Sequence, residues 1–215
     1  MKIKYLGHSA FAIISNKGVK IITDPYTTSP DLTYGEITES ADIVTVSHGH
    51  FDHSNVAAVK GNPEVVSRAG RSVVKGIELK GVASYHDDTG GKRAGNNLIF
   101  CFELDGVRVC HLGDLGHWLD DKQLKEMGRV DVLLIPVGGV YTIDARVAAG
   151  VCDQLKPKVI IPMHYKTAKG LPGISGVEGF LSGKANVSRL DSSQAEFKPG
   201  ELPATAQILV LKPAL

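Results

Sequence analysis

The sequence predicts a layered fold of the α/β or α+β class, built from mixed β-strands and only a few helices. The first half of the chain contains short segments rich in β-branched and aromatic residues, which are separated by glycine-rich turns. In the second half, segments with the pattern of strands alternate with segments with the pattern of helices. No fixed-period repeat or low-complexity linker interrupts the 215 residues. We therefore expect residues 1–215 to form a single domain.

The first half is predicted to contain a series of short strands and, at its end, a hairpin. The hairpin is centred on Asp105-Gly106, a dipeptide that strongly favours a two-residue turn. The predicted strands are, in chain order, KIKYLG (2–7), SAFAIIS (9–15), VKIITD (19–24), DIVTVS (42–47), IELKGVASY (77–85), LIFCFEL (98–104) and VRVCHLG (107–113).

The second half is predicted to contain strands that alternate with two helices. The longer helix covers residues 144–155, because Thr142 or Asp144 can cap its start and Pro157 ends it. The residues expected on its apolar face are Val147, Val151 and Leu155. The remaining predicted elements are the strands DVLLIPV (131–137), KVIIPM (158–163) and QILVLK (207–212) and a short helix at VEGFLS (177–182).

The composition argues against several classes of function. The formal net charge is only +1, so the overall charge gives no sign of a nucleic-acid-binding surface. The N-terminal sequence MKIKYLGHSAF lacks the apolar stretch of a secretory signal, and no segment has the apolar length of a membrane span. The three cysteines form no CxxC pair, which argues against a thiolate zinc site or a disulfide framework and favours a reducing compartment. We expect a cytoplasmic protein without nucleic-acid or membrane partners.

Histidines and aspartates are concentrated where predicted strands end. Four of them lie within residues 48–53, directly after the strand DIVTVS, and three more follow later strands. Strand-end loops of such sheets converge on one edge, where ligands bind, so residues far apart in the chain can meet there. In chain order, the candidate ligands are His48, His50, Asp52, His53, His86, Asp114 and His164.

The chemistry of these side chains indicates a metal centre. Imidazole and carboxylate without thiolate suit zinc, and also manganese or iron. Three histidines and one aspartate within residues 48–53 would repel or lack partners if buried together without metal. Seven ligands exceed what one tetrahedral ion uses, but two ions about 3.5–4 Å apart can share them, with an aspartate and a water bridging. Such a pair makes hydroxide available near neutral pH, and hydroxide is the nucleophile that a metal-dependent hydrolase requires.

The order of these residues also resembles a known superfamily. The segment 48–53 has the pattern HxHxDH and is followed by isolated His86, Asp114 and His164, as in the metallo-β-lactamase superfamily. The segments LGHSAFAI, ITDPY, HLGDLGH and PMHY are similar to those of its small metal-dependent hydrolases related to ascorbate-6-phosphate lactonase. The resemblance extends over nearly the whole chain. It implies an αββα sandwich of two mixed β-sheets flanked by helices, with the metal site at one sheet edge.

The same resemblance implies a role for each candidate ligand. The ligands implied for the first metal are His48, His50 and His86, and those implied for the second are Asp52, His53 and His164. Asp114 would bridge the two metals. Asp52 would also be the catalytic residue, since it would position the binuclear-metal-bound hydroxide and shuttle a proton. Asp24, in ITDPY, would orient a ligand imidazole.

Other residues near these positions are candidates for substrate contacts. Those whose side chains can either line the pocket or serve only the structure are His8, His117, Tyr141 and Tyr165. Arg93 belongs to the charged loop 87–97, and it can bind an anionic group or simply be solvated. The glycine-bearing loop 166–176 is a candidate lid.

We therefore expect a metal-dependent hydrolase that acts on a small, anionic, ester-like substrate, either a lactone or a phosphodiester. Its cofactors would be two divalent ions, zinc or manganese, with iron as a further option. The resemblance leaves three alternatives open: a nucleic-acid-processing enzyme, a mono-iron oxygenase on the same fold, and a non-enzymatic metal-binding or ligand-binding protein. Metal identity separates the oxygenase from the hydrolase, and an intact ligand set disfavours the non-enzymatic protein.

Overall fold

The computed structural model describes all 215 residues, and they form a layered α/β sandwich of two mixed β-sheets with helices on one outer face. Across the first sheet the strands are, in order, β13 (Gln194–Glu196), β1 (Lys2–Gly7), β2 (Ala10–Ile14), β3 (Lys20–Thr23), β4 (Ile43–Thr45) and β5 (Glu64–Val66). Across the second sheet they are β12 (Val187–Arg189), β14 (Gln207–Val210), β11 (Val159–Met163), β10 (Val132–Pro136), β9 (Val107–His111), β8 (Asn96–Leu104), β7 (Ile77–Tyr85) and β6 (Gly70–Val74). The helices are α1 (Asp121–Met127), α2 (Ala145–Leu155) and α3 (Glu178–Leu181).

All the predicted strands and both predicted helices are present. The hairpin of β8 and β9 turns at Asp105-Gly106, and Asp144 rather than Thr142 caps α2 by accepting a hydrogen bond from the Val147 amide. Five further elements were not predicted from the sequence: β5, β6, β12, β13 and α1. These strands are short and largely exposed, so they show little apolar alternation. Helix α1 does carry a readable signal, since Asp120 and Gln123 form a capping box.

The main core lies between the two sheets. It contains 24 buried residues, among them Ile13 and Ile21 of the first sheet and Phe100, Leu134 and Ile161 of the second. All five of these side chains are fully buried. Burying each such side chain contributes about 1.5–3 kcal/mol before conformational entropy is counted, so this layer holds the two sheets together.

The outer faces of the two sheets are covered in different ways. The helices pack on the second sheet, where α2 buries Ala148, Val151 and Cys152. The predicted face of α2 is therefore displaced, because Val147 and Leu155 are only partly buried. The first sheet is covered instead by the loop 24–41, whose aromatic and aliphatic side chains pack on it together with a short 3-10 turn at Val56–Ala58.

None of the helices combines the length and the apolar character that a bilayer crossing requires.

Two of the three cysteines are joined, contrary to the expectation from their spacing. Cys101 of β8 and Cys110 of β9 form a disulfide, and their Cα atoms are 4.2 Å apart. The hairpin explains the pairing, since both residues lie equally far from the turn and face each other in the strand register. The third cysteine, Cys152, is free and buried in α2.

Strand direction places the ends of seven strands at one edge of the sandwich. In the first sheet β1 and β3 run the same way, because β2 is antiparallel to both, and β4 is parallel to β3. In the second sheet β7 and β9 run the same way for the same reason, and β10 and β11 are parallel to β9. The segments that follow these strands therefore meet at one edge, where all seven candidate ligands lie.

A glycine keeps one of these segments in place. The Gly116 amide donates to the Tyr85 carbonyl at 2.9 Å. A Cβ at this position would lie 2.3 Å from the Asp87 nitrogen and 2.4 Å from the His86 carbonyl carbon. Both are backbone atoms and cannot rotate away, so the segments after β7 and β9 touch through a glycine.

We expect Gly116→Ala to lower the free energy of unfolding by about 1–3 kcal/mol, because two backbone segments must separate to accept the methyl group. Chemical denaturation measures this difference. The matched control is Gly200→Ala, since nothing lies within 4 Å of a Cβ at Gly200; its effect should stay within about 0.5 kcal/mol. Equal stability of the two variants would show that the contact at Gly116 is not tight.

Candidate metal centre

The structure brings all seven predicted ligands together at the shared edge of the two sheets. Each of them lies in a segment that directly follows β4, β7, β9 or β11. Six of them, together with His8, fall into two groups within which all ligand atoms lie within 4.8 Å of one another, and a third such group joins His48 and His53 to Asp24. The first group is His48, His50 and His86, and the second is His8, Asp52, His53 and His164.

Asp114 lies between the two groups. One of its carboxylate oxygens, Oδ2, is 3.3 Å from Nε2 of His86, which belongs to the first group. The same oxygen is 3.2 Å from Nε2 of His53 and 3.3 Å from Nε2 of His164, which belong to the second. A single carboxylate thus contacts both sets of imidazoles, as expected of a group that bridges two ions.

The backbone around Asp114 is built to hold it there. Its amide donates to the Asn97 side-chain oxygen at 2.9 Å, and Asn97 in turn donates to the Leu112 carbonyl. Gly113 precedes it with φ +54°, in the left-handed region that favours glycine. A Cβ at Gly113 would lie 2.4 Å from the Asn97 oxygen, so a larger residue would displace the group that positions Asp114.

Several buried polar atoms of the cluster have no hydrogen-bond partner. They are Nε2 of His53, Nδ1 of His86, Oδ1 of Asp114 and both ring nitrogens of His164. In addition, the buried carboxylates of Asp52 and Asp114 face only histidines, with no lysine or arginine beside them. Unsatisfied donors and negative charge at such depth cost free energy unless a cation is bound. The residues present therefore fit divalent metal ions.

The imidazoles differ in protonation, and that of His48 is in a suitable state to bind metal. Burial, together with neighbouring His53, lowers the pKa of His48 to about 3, so its ring is neutral at pH 7. Burial would also lower the pKa of His53, but the carboxylates of Asp114 and Asp24 outweigh it and raise that pKa. A proton on His53 thus offsets local negative charge, and a bound cation could do the same.

Asp24 contacts the imidazole of His53. It is fully buried, and its Oδ2 accepts a hydrogen bond from Nδ1 of His53 at 2.9 Å. Its other oxygen, Oδ1, accepts from the Ser47 amide at 2.8 Å, and the Ser47 hydroxyl donates to Oδ2. These contacts fix the ring so that Nε2 of His53 faces Asp114.

His8 lies inside the second group rather than at a pocket wall. Its ring is buried, and Nε2 is 3.1 Å from Oδ2 of Asp52. Burial and the nearby His164 ring lower the pKa of His8 to about 4, so it is neutral and can donate this hydrogen bond. Both His8 and His164 have positive φ, and the His164 amide donates to the His8 carbonyl. Strained backbone of this kind is concentrated at functional sites.

A cavity of about 770 Å³ opens over the cluster. This volume is typical of small-molecule sites. Residues of both groups reach it, including His50, Asp52, His86 and His164, together with Asp114. Apart from Phe51 and Gly116, the other lining residues come from the loops 24–41, 87–97, 137–144 and 166–176. The lining residues that matter for recognition are Asp31, Phe51, Arg93, Val140, Tyr141 and Leu171.

The loop 87–97 is shaped by one carboxylate. Asp87 follows the ligand His86 and accepts hydrogen bonds from the amides of Gly91, Arg93 and Ala94 and from both the amide and hydroxyl of Thr89, at 2.7–2.9 Å. No role for Asp87 was predicted from the sequence, although it begins the segment DDTGG, which is a recognisable turn signal. Arg93, which this loop presents to the cavity, pairs with Asp88.

Two residues predicted to contact substrate lie elsewhere. The ring nitrogens of His117 are taken up by the backbone, since Nε2 accepts from the Tyr85 amide and Nδ1 lies 2.6 Å from the Trp118 carbonyl oxygen. Tyr165 is buried in the core beneath the helices, and burial raises its pKa to about 12. Although it follows His164 directly, its side chain does not line the cavity, because successive side chains point to opposite sides.

The loop 166–176 contributes Leu171 and Pro172 to the cavity wall and is tied down at both ends. The Lys166 amide donates to the Ser175 carbonyl, and the Thr33 amide donates to the Lys169 carbonyl. The Thr167 hydroxyl lies 2.7 Å from the hydroxyl of Tyr34. These contacts with the loop 24–41 favour a fixed wall over a lid.

We expect Asp87→Asn to speed amide hydrogen exchange at Gly91, Arg93 and Ala94 by about tenfold or more, because a charged acceptor of several hydrogen bonds is lost. Exchange followed by NMR measures each amide separately. Asp88→Asn is the matched control, since Asp88 only pairs with Arg93 on the surface, and exchange should stay unchanged there. Similar exchange rates in both variants would contradict the role of Asp87.

Comparison with known proteins agrees with this geometry. Residues 2–164 match the family described as the β-lactamase superfamily domain. A metal-dependent hydrolase from Thermococcus onnurineus is 31% identical, with 78% of this chain and 85% of the relative covered. Another from Archaeoglobus fulgidus is 30% identical, with 94% of this chain and 97% of the relative covered.

Solved structures give the same result. A candidate Zn-dependent hydrolase of the metallo-β-lactamase superfamily from Thermotoga maritima has a TM-score of 0.80 and 40% identity, with 98% of this chain and 97% of that chain covered. Igni18, a metallo hydrolase from Ignicoccus hospitalis, has a TM-score of 0.60 and 26% identity over 77% of this chain and 82% of its own. The chain thus belongs to the metallo-β-lactamase superfamily, and within it to the small metal-dependent hydrolases.

Proposed function

We propose that residues 1–215 form one catalytic unit that holds two divalent metal ions and hydrolyses a small ester-like substrate. The observation that carries the proposal is the position of Asp114. Its Oδ2 lies 3.2–3.3 Å from imidazole nitrogens of both ligand groups. One carboxylate shared by two groups of ligands is what a binuclear centre requires, whereas a single-ion site has no use for a second group.

The ligands are divided between the ions as the superfamily resemblance implied. The residues assigned to the first ion are His48, His50 and His86, and those assigned to the second are Asp52, His53 and His164, with Asp114 shared. Two such ions would supply hydroxide near neutral pH and a Lewis acid for the substrate oxygen. Zinc or manganese fits a site of imidazole and carboxylate without thiolate, and iron is also compatible.

The protein's own side chains hold and move protons at this site. Asp52 lines the cavity, and although burial alone would raise its pKa, the hydrogen bond from His8 and the nearby His53 lower it. Its carboxylate is therefore ionised, so it can orient the attacking water and accept its proton. His8 positions Asp52 through the contact between Nε2 and Oδ2.

The proposed substrate class follows from the chemistry that two metal ions would supply and from the size of the cavity. Lactones and phosphodiesters both need a water-derived nucleophile and a polarised carbonyl or phosphoryl oxygen, which this centre would provide. The cavity of about 770 Å³ is of the size that small-molecule substrates occupy.

We expect Asp52→Ala to reduce kcat/KM by at least about a hundredfold, because proton transfer and positioning in the transition state are lost together. The fold should persist, since Asp52 lies at the rim of the cavity and not in a hydrophobic core. Asp191→Ala is the control, since its side chain is 98% exposed and pairs only with Lys212. Full turnover by a folded Asp52→Ala protein would sink this mechanism.

We expect Asp114→Ala to lower the metal content from about two ions per chain towards one, because the shared ligand is lost. Elemental analysis of protein purified without added metal or chelator measures both values. Two ions retained at full occupancy in the variant would contradict the bridging role. About one equivalent of iron in the unmodified protein would instead favour the mono-iron oxygenase.

A further inference from the structure

We infer that the substrate is an uncharged lactone or ester with an apolar substituent, and that this substituent lies against Phe51, Val140, Tyr141 and Leu171. The inference rests on the proposed function and selects between its two substrate classes. It disfavours phosphodiesters, and it reverses the expectation of an anionic substrate.

Three large apolar side chains of the cavity wall are exposed. Val140 is 72% exposed, Tyr141 52% and Phe51 51%, and all three line the cavity. Large exposed side chains of this kind are ordinary when scattered, but here they share one opening over the metal centre with Leu171. A substrate that covered them would gain the free energy of apolar burial.

The loop that carries two of these side chains has a rigid base. The Ile143 amide donates to the Leu115 carbonyl at 2.8 Å, and the Gly138 carbonyl accepts from the Ser175 amide at 2.8 Å. Between these contacts, Val140 has φ +65°, a conformation that is an outlier for a β-branched residue. Nothing in the core requires a valine at this exposed tip. Its position is explained if the isopropyl group contacts a ligand, since strain of this kind is concentrated at binding sites.

The charges of the cavity wall argue against an anionic substrate. Apart from the proposed metal ligands, the lining residues carry three carboxylates, on Asp31, Asp87 and Asp88, and one cation, on Arg93. Arg93 already pairs with Asp88, and no lysine reaches the cavity. The positive charge of bound metals would act on the carbonyl or phosphoryl oxygen of the substrate. Because both substrate classes have such an oxygen, this charge does not distinguish between them. The rest of the substrate meets a wall of net negative charge, where an anionic group would be repelled.

The reaction is the addition of one water to the substrate. The water oxygen bonds to the carbonyl carbon, the C–O bond of the lactone breaks, and the released alkoxide takes up a proton to become an alcohol. The product is a hydroxy acid, which is ionised at neutral pH. The negative wall then favours product release, since the product carries a charge that the substrate lacks.

The test uses γ-lactones that carry no substituent, an ethyl, a butyl or a hexyl group. Hydrolysis of each lactone by the metal-loaded protein is measured by pH-stat. We expect kcat/KM to rise about two- to fourfold for each buried methylene. A lactone whose side chain ends in a carboxylate should react more slowly than its uncharged counterpart, and bis(4-nitrophenyl) phosphate should be a poor substrate.

Substitutions in the cavity wall test where the apolar substituent of the lactone binds. Tyr141→Ala and Leu171→Ala should each reduce the ratio of kcat/KM between the hexyl and the unsubstituted lactone by about threefold or more, since apolar contact is lost. Val73→Ala is the matched control, because Val73 is 59% exposed on β6 and does not line the cavity; it should keep the full ratio. Calorimetric titration with hexyl-substituted γ-lactam, a slowly hydrolysed analogue, should show tighter binding than unsubstituted γ-lactam in the parent protein but not in Tyr141→Ala.

The possible failures are distinguishable. Faster hydrolysis of the phosphodiester than of any lactone, or a flat chain-length series, would overturn this inference while leaving the binuclear hydrolase in place. No hydrolysis of any of these compounds by protein that holds two metal ions would overturn the proposed function and this inference together. An unchanged chain-length ratio in both wall variants would show that the apolar group binds elsewhere.

Discussion

The buried carboxylate of Asp114 is the constraint on which the rest of the site depends. Negative charge at this depth requires compensation, and the protein surrounds it with imidazoles instead of lysine or arginine. A proton on His53, whose pKa is raised, can supply part of that compensation, and ions held by the imidazoles can supply it instead. Asp24 and Asn97 then follow as necessary supports, since one fixes the ring of His53 and the other fixes the Asp114 backbone.

The two-sheet architecture makes this convergence possible. Seven strands from both sheets end at one edge, so the short segments after them can contribute side chains to a common centre. The core between the sheets holds the strand ends in fixed relation, because its side chains are close-packed and fully buried. Close backbone approaches, such as Gly116 against Asp87, then fix the spacing between these segments. The precision of the centre therefore comes from the strands together with the contacts between the segments that follow them.

Most of the strands could be predicted, because buried strands show apolar runs in the sequence. The seven candidate ligands could also be predicted, because residues that directly follow strands lie at the edge of the sheet. Contacts set by three-dimensional packing could not be predicted. His117 and Tyr165 have the right neighbours in sequence, but one ring is held by backbone groups and the other turns into the core. The role of Asp87 depends on a loop closing around it, and the exposure of Val140 depends on where its loop is anchored.

The loop 24–41 performs two tasks that are usually separate. Its side chains cover the first sheet in place of a helix, and the same segment brings Ser29 and Asp31 to the cavity wall. Mutations there alter specificity and stability together, so few are tolerated. The tip formed by Val140 and Tyr141 is exposed and covers no core. Within this lineage, divergence towards new substrates therefore has an easier route through the tip than through the loop, and the two walls should evolve at different rates.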